Sequence, residues 1–329
     1  MKSLLVAGLT TVALVASAGR STAAVIFADS FGTSTMNAAA PAAPTASSTN
    51  YQVLSSGNAT SSSIAPASLQ LNTANTSSRF SELQALFAAA PVALSQTGDF
   101  VELRVRFTAQ ALNSAASGTL NFGIYDSNGS APVPGTQLNN SQMSNASSTH
   151  TSGFAADWTG YVGRIGLPGG VSSQLYTRPV QTSPATNEVQ DALFNGAGSG
   201  AYKVLGTTIQ TGGGGAALAN QTDYLLVYRA QYDAGAATMD VSYVLSDANG
   251  TIDSLTGTAS GAGVITTSFD ALAIGYRATG SIGPFSLNIR SIEVEAQVGV
   301  IPEPTGTMLL VVALASGAVA HHRTRRIGH

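Results

Sequence analysis

Apolar and polar residues alternate with a period of two along several stretches of the chain. In FVELRVRF (100–107), Val101, Leu103, Val105 and Phe107 take one phase and Glu102, Arg104 and Arg106 the other. MDVSYVLSD sets Met239, Val241, Tyr243 and Leu245 against Asp240, Ser242 and Ser246, with Val244 out of step in polarity. LNFGIYD, DYLLVYRAQYD (223–233) and FDALAIGYR (269–277) repeat the pattern. Successive side chains of a strand point to opposite faces, so each stretch predicts a half-buried β-strand. In FSLNIRSIEVEAQV the apolar phase slips between Ile289 and Ile292, which predicts a β-bulge near Arg290-Ser291.

Turn chemistry separates these segments. DSNGS (126–130) and DANGT (247–251) carry Asn-Gly pairs, which predict tight hairpins, and TGGGGAALANQT predicts a loop. Helical spacing is confined to SELQALFAAAP (81–91). There Ser81 and Gln84 form a capping box, Leu83, Leu86 and Phe87 share a side, and Pro91 is a stop, predicting one short helix. Many short strands with no alternating helices predict an all-β fold, an antiparallel β-sandwich occupying one domain over residues 25–298. The first strand, VIFADSF, pairs with the last, IRSIEVEAQ, in this reading. Residues 32–78, rich in Ala, Ser, Thr and Asn, read as a long decorated loop or a mobile arm.

Composition narrows the function classes. Charged residues are 9% of the chain, against roughly a quarter in ordinary soluble domains. The 14 basic and 17 acidic residues leave a net charge of −3, which argues against nucleic acid as a partner. There is no cysteine, so disulfides, thiol catalysis and Cys-based metal sites are excluded.

The two ends have a different character. Lys2, the apolar run from Leu4 to Ala16 and the Ala16-Ser17-Ala18 step have the layout of a signal peptide (1–24), with cleavage after Ala18 or after Ala24. At the other end, Pro302-Glu303-Pro304 precedes an apolar run from Gly306 to Ala320, then Arg323, Arg325 and Arg326. At about 1.5 Å per residue that run reaches roughly 22 Å as a helix, and His321 and His322 extend it toward the interface. Residues 306–322 therefore predict a marginal membrane helix whose arginines stay in the cytoplasm and hold the body outside. The prolines mark its outer boundary and force the chain around Glu303 to be extended.

This order of features resembles the PEP-CTERM sorting signal, here over residues 299–329. Thr305 fits the usual hydroxyl residue, and Ile301 departs from the commoner valine. The resemblance implies recognition of Pro302, Glu303 and Pro304 by exosortase, a membrane-embedded protease that removes the tail. It also implies an inner-membrane-anchored intermediate and a final place at the cell surface or in the extracellular matrix of a polysaccharide-producing bacterium. The body's layout resembles concanavalin-like jelly rolls, common in exported sugar-associated proteins.

Chemistry within the body is sparse. His150, in SSTHTSG, sits in a predicted loop with no nucleophile motif beside it. Glu293 and Glu295 share a strand face, as a glycosidase pair can, but read first as a solvated, edge-protecting pair near the domain end. Asp247, Asn249 and Asp253 offer oxygen ligands to calcium, although the Asn-Gly hairpin alone explains Asp247 to Gly250. Trp158 and Tyr161, three residues apart, cannot face the same way on a straight strand, so one of them is expected in the core. GGGG (212–215) lacks the lysine of a phosphate loop. The expected role is a non-enzymatic surface or matrix protein, structural or associated with extracellular polysaccharide. Its alternative is a glycosidase or polysaccharide lyase on the same scaffold. No cofactor is implied beyond the calcium noted.

Overall fold

The alternating segments fold as strands, and their apolar halves meet between two sheets. A computed structural model describes residues 22–31, 51–55, 60–65, 67–73, 80–110, 118–130, 137–138, 154–167, 172–180, 193, 205–213, 215–278 and 285–299. The strands are β1 (Ala24–Asp29), β2 (Tyr51–Ser55), β3 (Thr60–Ala65), β4 (Ser68–Thr73), β5 (Phe80–Leu86), β6 (Val92–Ala93), β7 (Phe100–Gln110), β8 (Gly118–Asp126), β9 (Gln137–Leu138), β10 (Thr159–Gly166), β11 (Gln174–Arg178), β12 (Thr208–Thr211), β13 (Asp223–Asp233), β14 (Thr238–Asp247), β15 (Gly250–Ser260), β16 (Ser268–Phe269), β17 (Ala271–Ala278) and β18 (Phe285–Gln297). Helix among the described residues is limited to the short 3-10 turns Phe154–Asp157 and Gly261–Gly263, and none is long and apolar enough to cross a membrane. The signal and C-terminal helices expected from the sequence lie outside the described residues.

Sheet A runs β15-β14-β13-β7-β18-β4-β3, with β1 also on β18. Sheet B runs β12-β11-β10-β8-β17-β5-β2-β9, and β6 pairs with β16 in a small third sheet. All pairs are antiparallel except β2 with β9. β18 organises sheet A. Its whole length pairs with β7, while its other edge is divided: residues from Phe285 to Ile289 take β4, and those from Ile292 to Ala296 take β1. The register slip falls between Ile289 and Ser291, so the bulge expected from the apolar phase is present and marks the handover. The expected pairing of first and last strands holds, with Ala24 opposite Ala296 and Asp29 opposite Ile292.

Between the sheets, Phe122 of β8 meets Tyr228 of β13 and Tyr243 of β14 edge-on, at 5.1 and 5.3 Å between ring centres. Leu83, Leu103, Val105, Ile124, Tyr161, Leu226, Val241, Ile274 and Val294 surround them, all fully buried. Such aromatic pairs add about 0.5–1.5 kcal/mol beyond the area they remove from water. A second apolar cluster covers the other side of sheet B: Tyr125, Ala155, Trp158, Val162, Tyr176, Leu193, Leu205, Ala271 and Ala273. Sheet B is thus buried on both faces, and sheet A on one.

Three expectations are corrected. Residues 81–91 are not a helix: Phe80–Leu86 is strand β5, between β17 and β2. Leu83, Ala85 and Phe87 point to the inter-sheet core while Leu86 packs on the second cluster, so the spacing that mimicked a helix is a strand buried on both sides. Asn128-Gly129 takes the left-handed turn its sequence asks for, with φ of 50° and 79°, but closes no tight hairpin. The partner of β8 is β10, with Asp126 opposite Thr159, so the chain travels through 127–158 before returning. Within 32–78, expected as loop or arm, the chain forms β2, β3 and β4. The second Asn-Gly expectation holds: Asp247 and Gly250 close the β14–β15 hairpin, and Gly250 has φ +132°, a backbone state that penalises any side chain.

Candidate functional site

The outer face of sheet B gathers polar side chains that a half-exposed strand would leave in water. Register places them in rows. One row reads Gln174 on β11, Arg164 on β10, Asn121 on β8, Gly275 on β17 and Glu82 on β5. The row beside it on the N-terminal side of β8 brings Gly166, Thr119 and Arg277 together. On the other side stand Tyr176, Val162, Gly123, Ala273 and Gln84, then Arg178, Gly160, Tyr125 and Ala271. Glu82, Gln84, Asn121, Thr119 and Arg178 are buried, and Arg164 is 7% exposed.

Each group has identifiable neighbours. The Glu82 carboxylate accepts from Gln84 Nε2 at 2.5 Å and from the Leu193 N–H at 2.9 Å, which pins Leu193 over β5. Arg178 Nη1 donates to the Trp158 carbonyl. The Trp158 indole N–H donates to the Ser130 carbonyl at 3.0 Å, and its ring tilts against Tyr125 at 5.9 Å. Arg164 Nη2 donates to the Tyr176 hydroxyl at 2.5 Å and to the Gln174 amide oxygen, and the guanidinium lies 4.9 Å over the Tyr176 ring. Asn121 Nδ2 donates to Thr119 Oγ1 at 3.0 Å. Burial draws Arg164 below the usual arginine value; burial, then the Arg164 charge, does the same to Arg277. Burial also pushes the Tyr125 hydroxyl well above its ordinary value.

Sheet A presents the contrasting face. Glu102, itself 3% exposed, receives Arg104 at 2.6 Å and Arg229 at 2.5 Å. Arg104 also reaches Glu295 at 3.0 Å and Glu293 at 3.8 Å. Arg229 covers the Phe100 ring at 4.0 Å. Glu293 and Glu295 therefore belong to an ion-pair ladder in mid-sheet, on a strand flanked by β7 and by β1, and not to a protected edge. Arg104 stands between these two carboxylates.

Of the predicted calcium ligands, Asp247 and Asn249 bond to each other, and Asp253 has partners of its own. Asp247 Oδ1 accepts the Asn249 N–H at 2.7 Å and caps the hairpin turn. Asp253 Oδ2 accepts from Ser173 Oγ at 2.7 Å and from the Tyr243 hydroxyl at 3.0 Å, latching β15 to the segment entering β11. Asp247 also borders a cleft of about 330 Å³ with Arg106, Asp223 and Arg290, whose own ion pair closes at 2.7 Å. Among the described residues no group of three or more His, Asp or Glu converges on a point. Trp158 and Tyr161 are both buried, one in each apolar cluster, because sheet B has a core on either side. Ala24, one of the two predicted cleavage positions, is the first residue of β1. Ala18, His150, Pro302, Glu303, Pro304, Arg323, Arg325 and Arg326 lie outside the described residues.

Arg164, Arg277, Glu82 and Asn121 were not singled out from the sequence. The signal was present: YVGRIG and AIGYRA each carry a lone charge in an otherwise uncharged, glycine-bearing strand.

No family model matches the chain, and no curated protein matches it. Similar solved structures include peanut lectin with a nine-residue peptide, at 14% identity and a TM-score of 0.40 over 84% of this chain and 98% of that one. Lectin II from Ulex europaeus gives 11% identity and 0.38 over 85% and 100%. A protein of unknown function from Shewanella oneidensis gives 14% and 0.38 over 88% and 98%. Likeness at this level transfers neither a ligand nor a residue role to this chain.

Proposed function

We propose that this is an exported protein of the cell surface or extracellular polysaccharide matrix, with a structural or polysaccharide-associated role and no turnover of its own. In this reading the signal peptide delivers the chain to the export machinery. Exosortase then recognises Pro302, Glu303 and Pro304, with residues 306–322 in the membrane and Arg323, Arg325 and Arg326 on the cytoplasmic side. Cleavage after Ala18 leaves β1 whole, whereas cleavage after Ala24 removes the residue that pairs with Ala296.

The observation that carries the non-enzymatic part is the state of the best carboxylate pair. Arg104 stands between Glu293 and Glu295, at 3.8 and 3.0 Å, and takes the space between the two carboxyls that a scissile sugar bond would need. Two measurements test the reading. Mass spectrometry of the secreted protein is expected to find a C-terminus near residue 304; intact HHRTRRIGH on the mature form defeats the exosortase step. Incubation with the host's polysaccharide is expected to release no reducing ends or unsaturated sugars. Release abolished by Glu293→Gln turns the assignment to a glycosidase or lyase.

A further inference from the structure

Arg164 and Arg277 stand on the two strands that flank β8, and both project from its outer face. Arg164 is opposite Asn121 and Arg277 is opposite Thr119, two positions apart along the same strand. Strands lie about 4.8 Å apart and residues two positions apart are separated by roughly 7 Å, so the two arginines rise from one face about 12 Å apart at their Cα atoms, with Thr119 and Asn121 between them. The Arg164 charge, after burial, lowers the proton affinity of Arg277. Arg164 is more than nine-tenths buried, and its Nη2 is held by two neutral groups, the Gln174 amide oxygen and the Tyr176 hydroxyl. Its Nε has no acceptor among the described residues. Among the described residues no carboxylate acts on either guanidinium.

Among the described residues, by contrast, Glu102 pairs with Arg104 and Arg229, and Asp223 with Arg290. Two like charges withdrawn from water beside each other are unfavourable unless an anion completes the group. The guanidinium fork favours a planar or tetrahedral oxyanion, bound through paired N–H donors. Arg277 is the more exposed of the two and provides the approach, and Gln174 is also partly exposed at the rim.

We propose that Arg164 and Arg277, with Thr119 and Asn121 between them, form an oxyanion-binding site on the outer face of sheet B, and that its ligand is the carboxylate of an acidic saccharide. The oxyanion site stands on the strand register, the burial of Arg164 and its unpartnered Nε; the saccharide rests on the polysaccharide-associated reading above.

The test is calorimetric titration of the full-length protein in detergent with three probes: an oligogalacturonate, a neutral oligosaccharide of equal length, and inorganic phosphate. The oligogalacturonate is expected to bind and the neutral oligosaccharide not to. Arg277→Gln is expected to weaken the oligogalacturonate about tenfold or more, the loss of a charge-assisted hydrogen bond. Arg277→Lys keeps the charge and loses the fork, so it is expected to bind between the two; circular dichroism of both variants establishes that they fold. Binding unchanged in Arg277→Gln, or equal binding of the neutral oligosaccharide, overturns the proposal. Arg277-dependent binding of phosphate alone overturns the saccharide and leaves the oxyanion site standing. Binding of neither anion overturns the site itself, without touching the sorting of the chain.

Discussion

On the outer face of sheet A, Glu102, Arg104, Arg229, Glu293 and Glu295 stand in one ladder of alternating opposite charges, with most of their side chains in reach of water. On the outer face of sheet B, Arg164, Arg178, Glu82, Gln84 and Asn121 are as polar but are buried, with Trp158 held against Arg178 and Leu193 against Glu82. The burial patterns follow. Strand β14 alternates between buried and partly or fully exposed positions, whereas Gly118 to Tyr125 of β8 is buried throughout. The difference teaches where each sheet draws its stability. Exposed ion pairs contribute about 0–1 kcal/mol each and weaken with salt. A covered face contributes through apolar area and is far less forgiving.

Alkali gives the largest expected effect. Burial holds the Tyr161 hydroxyl up to about 12 and raises Tyr125, Tyr228, Tyr243 and Tyr276 as well. In the unfolded chain these groups ionise near 10, so above that pH the native state binds more protons than the unfolded state. Stability is therefore intact below about pH 10 and falls by about 1.4 kcal/mol per pH unit per tyrosine as pH climbs toward the folded values. Ultraviolet absorbance is expected to show tyrosinate appearing late and cooperatively with unfolding; independent titration near 10 with the fold intact would contradict the burial.

Trp158→Ala sharpens the comparison directly. Its loss from the covered face is expected to cost about 3–5 kcal/mol in denaturant unfolding. Val244→Ala, at a position 39% exposed on the open face, is expected to stay within about 0.5 kcal/mol. Equal effects would erase the distinction. Gly275→Ala comes next. A Cβ there would lie 2.4 Å from the Ser81 carbonyl oxygen and 2.7 Å from the Glu82 Cα, backbone that cannot step aside, and a loss of about 1–3 kcal/mol is expected. On sheet A, Glu102→Gln removes the hub between Arg104 and Arg229. Because both arginines are substantially exposed, the loss is expected near 1 kcal/mol and to shrink in high salt. The smallest effect concerns calcium at Asp247, Asn249 and Asp253. Chelator is expected to leave the melting temperature unchanged, since Asp253 already holds Ser173 and Tyr243; a lowered value would assign the ion.

The open sheet was the legible one. In β13 and β14 one face meets water, so burial alternates with a period of two and the apolar phase of the sequence marks the buried face. The bulge after Ile289 was visible for the same reason: a strand that must keep Ile289 and Ile292 in the core has to gain a residue between them. Sheet B broke that link. Glu82 and Gln84 are polar and buried, and Leu86 is apolar on the same outward face, so β5 showed a helix-like spacing. Trp158 and Tyr161 looked like rivals for one core because a second core on the far side of the sheet leaves no mark on local periodicity. The arginines of the candidate site were obscure for a related reason. A lone charge on a strand suggests solvent, and only the register of β8 with β10 and β17 reveals that two of them meet.

The pairing of β1 with β18 has a mechanical side. The two strands are antiparallel and Ala24 lies opposite Ala296, so the chain enters and leaves this pair at the same end. Tension applied between those ends would act across the ladder, opening it like a zipper from Ala24–Ala296 toward Asp29–Ile292, one register at a time. That is a weak direction, because each hydrogen bond bears the load alone. A pull on the C-terminal end against the rest of the body runs along β18, whose long ladder with β7 shares the force among many bonds at once. A body tethered by its tail alone would thus be loaded along its strong axis, and one held at both ends would start to open at its first residue.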